Sequence, residues 1–102
     1  MIVVVFRARL QPNVDLDSLT RINERMFELA KAMPGYVSYK NFASEDGEGV
    51  SIVEFESLAT LAAWRDHPEH KIVQEQGRKQ FFSEYHIQVC TPVRDSRWPQ
   101  AT

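Results

Sequence analysis

The chain opens on a run whose apolar positions alternate. In Ile2-Val-Val-Val-Phe-Arg-Ala-Arg-Leu10 every even position is apolar, while the odd positions pass from Val3 and Val5 to Arg7 and Arg9. Period-two alternation in β-branched residues predicts a strand. One of its faces is core throughout; the other starts buried and ends polar. Gln11-Pro-Asn13 closes it with turn chemistry. The period then changes. Leu19, Ile22, Met26, Leu29, Ala30 and Met33 recur at spacings of three and four, with Arg21, Glu24, Arg25, Glu28 and Lys31 filling the gaps. This predicts an amphipathic helix, N-capped by Asp15 or Asp17 and stopped by Pro34-Gly35.

Alternation returns from Tyr36 to Phe42. Ser44-Glu-Asp-Gly-Glu-Gly49 is a polar loop, and Val50 to Glu56 is a third strand, so these two strands form a hairpin. Ser57 can cap a short helix carrying Leu58, Leu61, Ala62 and Trp64. Pro68 suits the first position of a second helical segment, unusually polar, that runs to Phe82. Tyr85 to Val93 reads as the last strand, with Tyr85, Ile87 and Val89 on one face, and Asp95 to Thr102 as a tail.

The order β-α-β-β-α-β predicts an α+β fold, a ferredoxin-like antiparallel sheet with the helices on one face. Residues 1–94 form the domain and 95–102 the tail. The other sheet face has no cover within the chain. Val5, Val37, Val53, Phe55, Ile87 and Val89 show that neither register is purely polar. Apolar surface on the open face therefore calls for a homodimer packed sheet against sheet. Arg7 and Arg9 read as a ladder with Glu54 and Glu56 across the neighbouring strand.

Composition narrows the partners. At 102 residues, 43% hydrophobic with only 4 Gly and 5 Pro, the chain is neither disordered nor collagen-like. No apolar run approaches the roughly 20 residues of a membrane span. A net charge of −2, from 14 acidic and 12 basic residues, argues against nucleic acid or a membrane as partner. Cys90 is the only cysteine, and Met1 leads directly into a strand without a signal peptide. The expected setting is cytoplasmic. Nucleotide-binding glycine motifs and nucleophile motifs are absent from the sequence.

The chemistry concentrates between Trp64 and Arg78. Trp64 ends an apolar stripe, so it has a plain core reading beside any functional one. His67 precedes a proline at a helix start and can serve as its flank. Helical spacing puts His67, His70 and Gln74 on one face. Two histidines without a third ligand do not make a metal site, so no metal is expected. An imidazole titrates near neutral pH, which fits His70 to act as a base or a hydrogen-bond donor. Gly77 costs up to about 1 kcal/mol against Ala inside a helix, which points to a close approach there. Arg78 can pair with Glu75 or hold an anion. Cys90 has no basic neighbour to activate it.

Three features together carry a resemblance: Met33-Pro-Gly-Tyr36 before the second strand, Trp64 ahead of His67-Pro-Glu-His70, and Phe81-Phe82 leading into Tyr85-His-Ile-Gln-Val89. With the element order, they make residues 1–94 similar to the antibiotic biosynthesis monooxygenase family, small dimeric α+β barrel proteins. Similar members oxidise polycyclic phenols to quinones without metal or flavin. The resemblance thus implies a homodimeric, cofactor-independent monooxygenase acting on a small aromatic, phenol or quinol substrate. The alternative it leaves is a non-catalytic or stress-associated dimer binding a small hydrophobic ligand in the same pocket.

Trp64 matches the pocket tryptophan of the quinone formers, while Thr60 and His70 stand where they carry Asn and Tyr. A haem-degrading branch uses a first-strand Asn and a His ten residues past the Trp. Here the first strand has no Asn and the later position is Gln74, which disfavours haem. The resemblance makes His70 and Trp64 the catalytic candidates. Trp64, His67, Gln74, Phe81 and Tyr85 are expected to line a pocket between sheet and helices.

Overall fold

The computed structural model describes residues 1–99. Its elements are β1 (Ile2–Leu10), α1 (Leu16–Lys31), β2 (Tyr36–Ala43), β3 (Gly49–Phe55), α2 (Leu58–Arg65), α3 (Pro68–Gln76), a π-helical turn (Gly77–Phe81) and β4 (Phe82–Cys90). Of the two candidate caps for α1, Asp15 is the one used, its carboxylate accepting from the Ser18 N–H at 3.1 Å. Ser57 caps α2 through a reciprocal box. Its hydroxyl accepts from the Thr60 N–H, and the Thr60 hydroxyl accepts from the Ser57 N–H. Gly35, at φ +79°, turns the chain from α1 into β2 in the left-handed conformation that side chains resist.

The strands form one antiparallel sheet in the order β2-β3-β1-β4. Residues directly opposite one another share a face, so the register sorts the side chains. Ile2 lies opposite Phe55 and Val4 opposite Val53, and all four turn toward the helices. With Met26 and Ala30 of α1 and Leu61 and Trp64 of α2, the strand residues Ile2, Val53 and Phe55 make the core; Val4 packs against it. The fold is α+β and ferredoxin-like, as the element order predicts.

Three expectations are corrected. The last strand runs from Phe82 to Cys90 rather than Tyr85 to Val93, because the π-helical turn ends abruptly at Phe81 and hands straight over to the sheet. Second, Arg7 and Arg9 do not ladder with Glu54 and Glu56. The register sets Val3 against Glu54 and Arg7 against Val50. Arg7 instead bridges Glu48 at 2.9 Å, and Arg9 bridges Asp46 at 2.8 Å and Glu84 at 3.2 Å. The hydrogen bond from Arg9 draws the Asp46 carboxyl down to about 2. Third, Val53 and Phe55 are buried beneath the helices. The open face carries Val3, Val5, Val50 and Ile52, among charged neighbours.

Among the described residues, no helix is long and apolar enough to cross a membrane. Of the expected tail, residues 100–102 lie outside the described ones.

Candidate functional site

Between α2 and α3 the chain turns a tight corner through Asp66, His67 and Pro68. Asp66 closes α2 and His67 opens α3, its ring Nδ1 accepting the Glu69 N–H at 3.2 Å. Pro68 sits at the first helical position, where its missing N–H costs nothing. The His67 N–H donates to the Trp64 carbonyl at 3.1 Å. Arg25 of α1 holds the new helix in place by an ion pair to Glu69 at 2.8 Å, which draws the Glu69 carboxyl below its usual range.

The corner folds α3 back so that His70 lies flat on the Trp64 indole. The ring centroids are 3.9 Å apart at an interplanar angle of 14°. Trp64 itself is 3% exposed and belongs to the core. His70 Nδ1 is 3.1 Å from the Trp64 carbonyl oxygen. A carbonyl can only accept, so Nδ1 carries the proton and Nε2 keeps a free lone pair. Burial pushes the imidazole below its ordinary value; the bond to the Trp64 carbonyl opposes that shift and His67 adds to it. At neutral pH His70 is therefore a neutral base in a fixed tautomer, presenting Nε2.

This arrangement has a thermodynamic signature. The unfolded chain takes up the His70 proton near pH 6.5, whereas the folded chain does so only at lower pH. Between those points the unfolded state binds more protons, so stability falls as pH drops below about 6.5. Urea unfolding from pH 8 to 5 is expected to show this loss in the wild type and a flatter profile in His70→Gln. Parallel profiles would put the ring in solvent.

Along α3, His70, Val73 and Gly77 follow at spacings of three and four and share one stripe. Val73 packs on the core. Gly77 is buried, and a Cβ there would meet the Phe82 ring at 2.8 Å, so the expected close approach is real. Trp64 clusters with Ile2, while Phe82 lies opposite Leu10, so α3 runs along β1 from its first residue toward its last. β4 returns in the opposite sense.

Beside α3 the sheet is uncovered. Tyr85, Ile87 and Val89 lie opposite Ala8, Phe6 and Val4, which places them on the helix-bearing face. They are nonetheless 40%, 51% and 54% exposed. The sequence left the face of Ile87 and Val89 undecided; they form an apolar ledge where the helices stop short. Phe6 closes one end of this ledge with Phe82 and Tyr85, at centroid distances of 5.4 and 5.8 Å. Val89 adjoins Val4, which packs against the Trp64 cluster.

The sequence-predicted residues thus divide. Trp64, His67 and His70 come together at the α2–α3 corner, with Gln74 half-buried one turn later. Tyr85 stands at the far end of the ledge. Phe81 is buried beneath a separate cleft of about 320 Å³, flanked by Ile22, Gln76 and Gln80. A further cleft of about 230 Å³ lies among Arg7, Glu48, Glu84 and His86, where acids and bases offset one another. Arg78 leans on Tyr85, while Lys79 reaches Glu75 at 3.5 Å. Among the described residues no group of His, Cys, Asp and Glu could hold a metal. Sequence reasoning missed Phe6 and Phe82 as ledge residues; for Phe6 the signal was the run of even apolar positions in β1 continuing past Val4.

The chain is similar to known proteins along most of its length. A family model for antibiotic biosynthesis monooxygenase matches residues 1–76. The uncharacterized protein YqjZ of Bacillus subtilis (strain 168) is 29% identical over 79 residues, covering 78% of this chain and 69% of that protein. Among solved structures, Rv0793 from Mycobacterium tuberculosis superposes with a TM-score of 0.81 at 22% identity, covering 94% of this chain and 98% of that one. SnoaB, a cofactor-independent oxygenase from Streptomyces nogalater, gives a TM-score of 0.77 at 13% identity, covering 97% of each chain. The sheet order, the α2–α3 corner and the matched residues lead to one conclusion: the chain belongs to the antibiotic biosynthesis monooxygenase family.

Proposed function

We propose that this protein is a cofactor-independent monooxygenase that oxidises a small phenol or quinol on the ledge beside α3, working as a cytoplasmic homodimer. The observation that carries the reading is His70 stacked on Trp64 with Nδ1 3.1 Å from the Trp64 carbonyl, a geometry that leaves Nε2 as the free lone pair of the neutral ring. Deprotonating a phenol makes its ring electron-rich enough to reduce dioxygen itself. In a phenol with a free para position, that ring C–H becomes C=O and the C–OH becomes the second C=O. In a quinol, which has no para C–H, another ring C–H becomes C–OH as the two hydroxyls become C=O. In both, one oxygen atom enters the product and the other leaves as water. The substrate supplies all the electrons, so no external reductant is needed.

In this scheme His70 Nε2 takes the phenolic proton. Trp64 and its carbonyl fix the imidazole in plane, and Tyr85, Ile87 and Val89 give the ring an apolar surface to lie on. Dioxygen consumption with a panel of phenols and hydroquinones, in the presence of chelator, tests the reading. Turnover is expected, with His70→Ala lowering kcat by about 10²–10⁴-fold. The acid limb of kcat/KM is expected below the ordinary histidine value, because burial holds His70 neutral. Tight binding without oxygen uptake across the panel would sink the enzyme reading in favour of a ligand-binding dimer.

A further inference from the structure

The ledge has a floor and one wall but no roof. Its three central side chains stand 40–54% exposed, whereas Ile2, Ala8, Val53 and Phe55 on the same face are buried. The same chain carries two apolar side chains with nothing around them. Val93 is 103% and Trp98 92% exposed, both in the segment after β4. A fully hydrated tryptophan forgoes the burial of roughly 150–250 Å².

We propose that these two surfaces belong together across a dimer: the tail of one copy lays Trp98 over Tyr85, Ile87 and Val89 of the other. The partner's Trp98 would then be the missing roof of the site.

Eight residues from Cys90 to Trp98 span up to about 26 Å when extended, enough chain to cross to a neighbouring copy and lie along the roughly 13 Å from Tyr85 to Val89 where the two copies are in contact. Direction favours a second copy over the chain's own ledge. β4 runs away from Tyr85 toward Cys90, and Thr91 precedes Pro92, which biases the first tail residue to continue extended. The molecule is accordingly drawn out, with extents of 47 × 33 × 20 Å and a radius of gyration of 14.6 Å, against about 13 Å for a compact chain of this length. A two-fold axis makes the exchange reciprocal, so each copy gives a tail and receives one.

The inference rests on the homodimer and the ledge described under the proposed function, and adds a residue that neither requires. It also supplies what oxygen chemistry on a phenolate needs, a site closed to water.

The test uses the full chain without substrate. Sedimentation equilibrium gives the dimer dissociation constant. The fluorescence difference between wild type and Trp98→Phe isolates Trp98 from Trp64. Trp98 emission is expected to be blue-shifted in the dimer and solvent-like on dilution to monomer. Trp98→Ala should weaken dimerisation by about tenfold or more. Ile87→Asp, on the receiving side, should do the same and return Trp98 to a solvent-like spectrum. Because Trp98 lies outside every helix and strand, its substitution leaves the fold intact.

Solvent-like Trp98 emission from a stable dimer would overturn the proposal. So would emission already blue-shifted in the monomer, which would dock the tail on its own chain, or a protein that stays monomeric. A docked Trp98 in a protein that consumes no oxygen would overturn the oxygenase reading alone.

Discussion

Replacing Trp64 with alanine is expected to lower the unfolding free energy by about 3–5 kcal/mol. The indole is 3% exposed and packed among Ile2, Met26, Ala30, Val53, Phe55 and Leu61. Deleting it removes apolar contact and leaves a cavity that β1, β3 and α1 cannot close without shifting together. In a domain of about 100 residues the melting temperature should drop on the order of 20 °C. Trp64→Phe keeps an aromatic ring beneath His70 and should cost less than half as much. Thermal and urea unfolding followed by circular dichroism would measure both. A loss under about 1 kcal/mol would mean that the indole walls an open pocket, as the family resemblance alone implies, rather than supporting the core.

The second large effect is expected at Gly35. An alanine Cβ there would lie 2.5 Å from Thr60 Cβ and Oγ1, and the backbone stands at φ +79°. The left-handed conformation costs a residue with a side chain about 1–2 kcal/mol. Displacing Thr60 breaks the box that caps α2, worth about 1 kcal/mol more. Gly35→Ala is therefore expected to destabilise by about 2–4 kcal/mol, and Thr60→Ala alone by about 1 kcal/mol. The double variant should cost less than the sum, since Thr60→Ala removes the Oγ1 and Cγ2 clashes, though not the Cβ clash, and the box that Gly35→Ala disrupts is counted only once. Strict additivity would show that the Gly35–Thr60 contact contributes nothing.

Where one periodicity rules, the sequence is a full guide to this fold. In Ile2–Leu10 every even position is apolar, and the strand begins and ends where that run does. α1 has a single apolar stripe and two candidate caps two residues apart. Only the carboxylate of Asp15 finds the Ser18 N–H, a choice made by geometry rather than composition.

Pattern reading fails where two periods meet. From Gly77 to Phe82 the chain passes from α to π to β within a few residues. No spacing of apolar positions announces that change, so the alternation around Tyr85 locates the start of β4 too late. Faces are harder still. Ile87 and Val89 are apolar whichever way they point, and only the pairing with Phe6 and Val4 assigns them.

For the site, the residue types of the Trp64–His70 segment were legible, and so was the role of His67 as a helix flank. The stacking of His70 on Trp64 was not. It depends on the angle at which α3 leaves the corner, which the Arg25–Glu69 ion pair and the His67 cap help to fix.

The π-helical turn bears on how this chain tolerates changes in length. Between Gly77 and Phe82 the residue count is rigid. The wide turn delivers Phe81 inward, and Phe82 follows at once against Gly77, although neighbours in a regular helix or strand point different ways. Deleting one residue there would rotate one of the two rings into water and shift the pairing of β4 with β1. Between Ser44 and Glu48, by contrast, Gly47 has open space around it, and the loop is tied to β1 by exposed ion pairs to Arg7 and Arg9. Insertions and tags belong in that hairpin tip, where they would displace only surface charges.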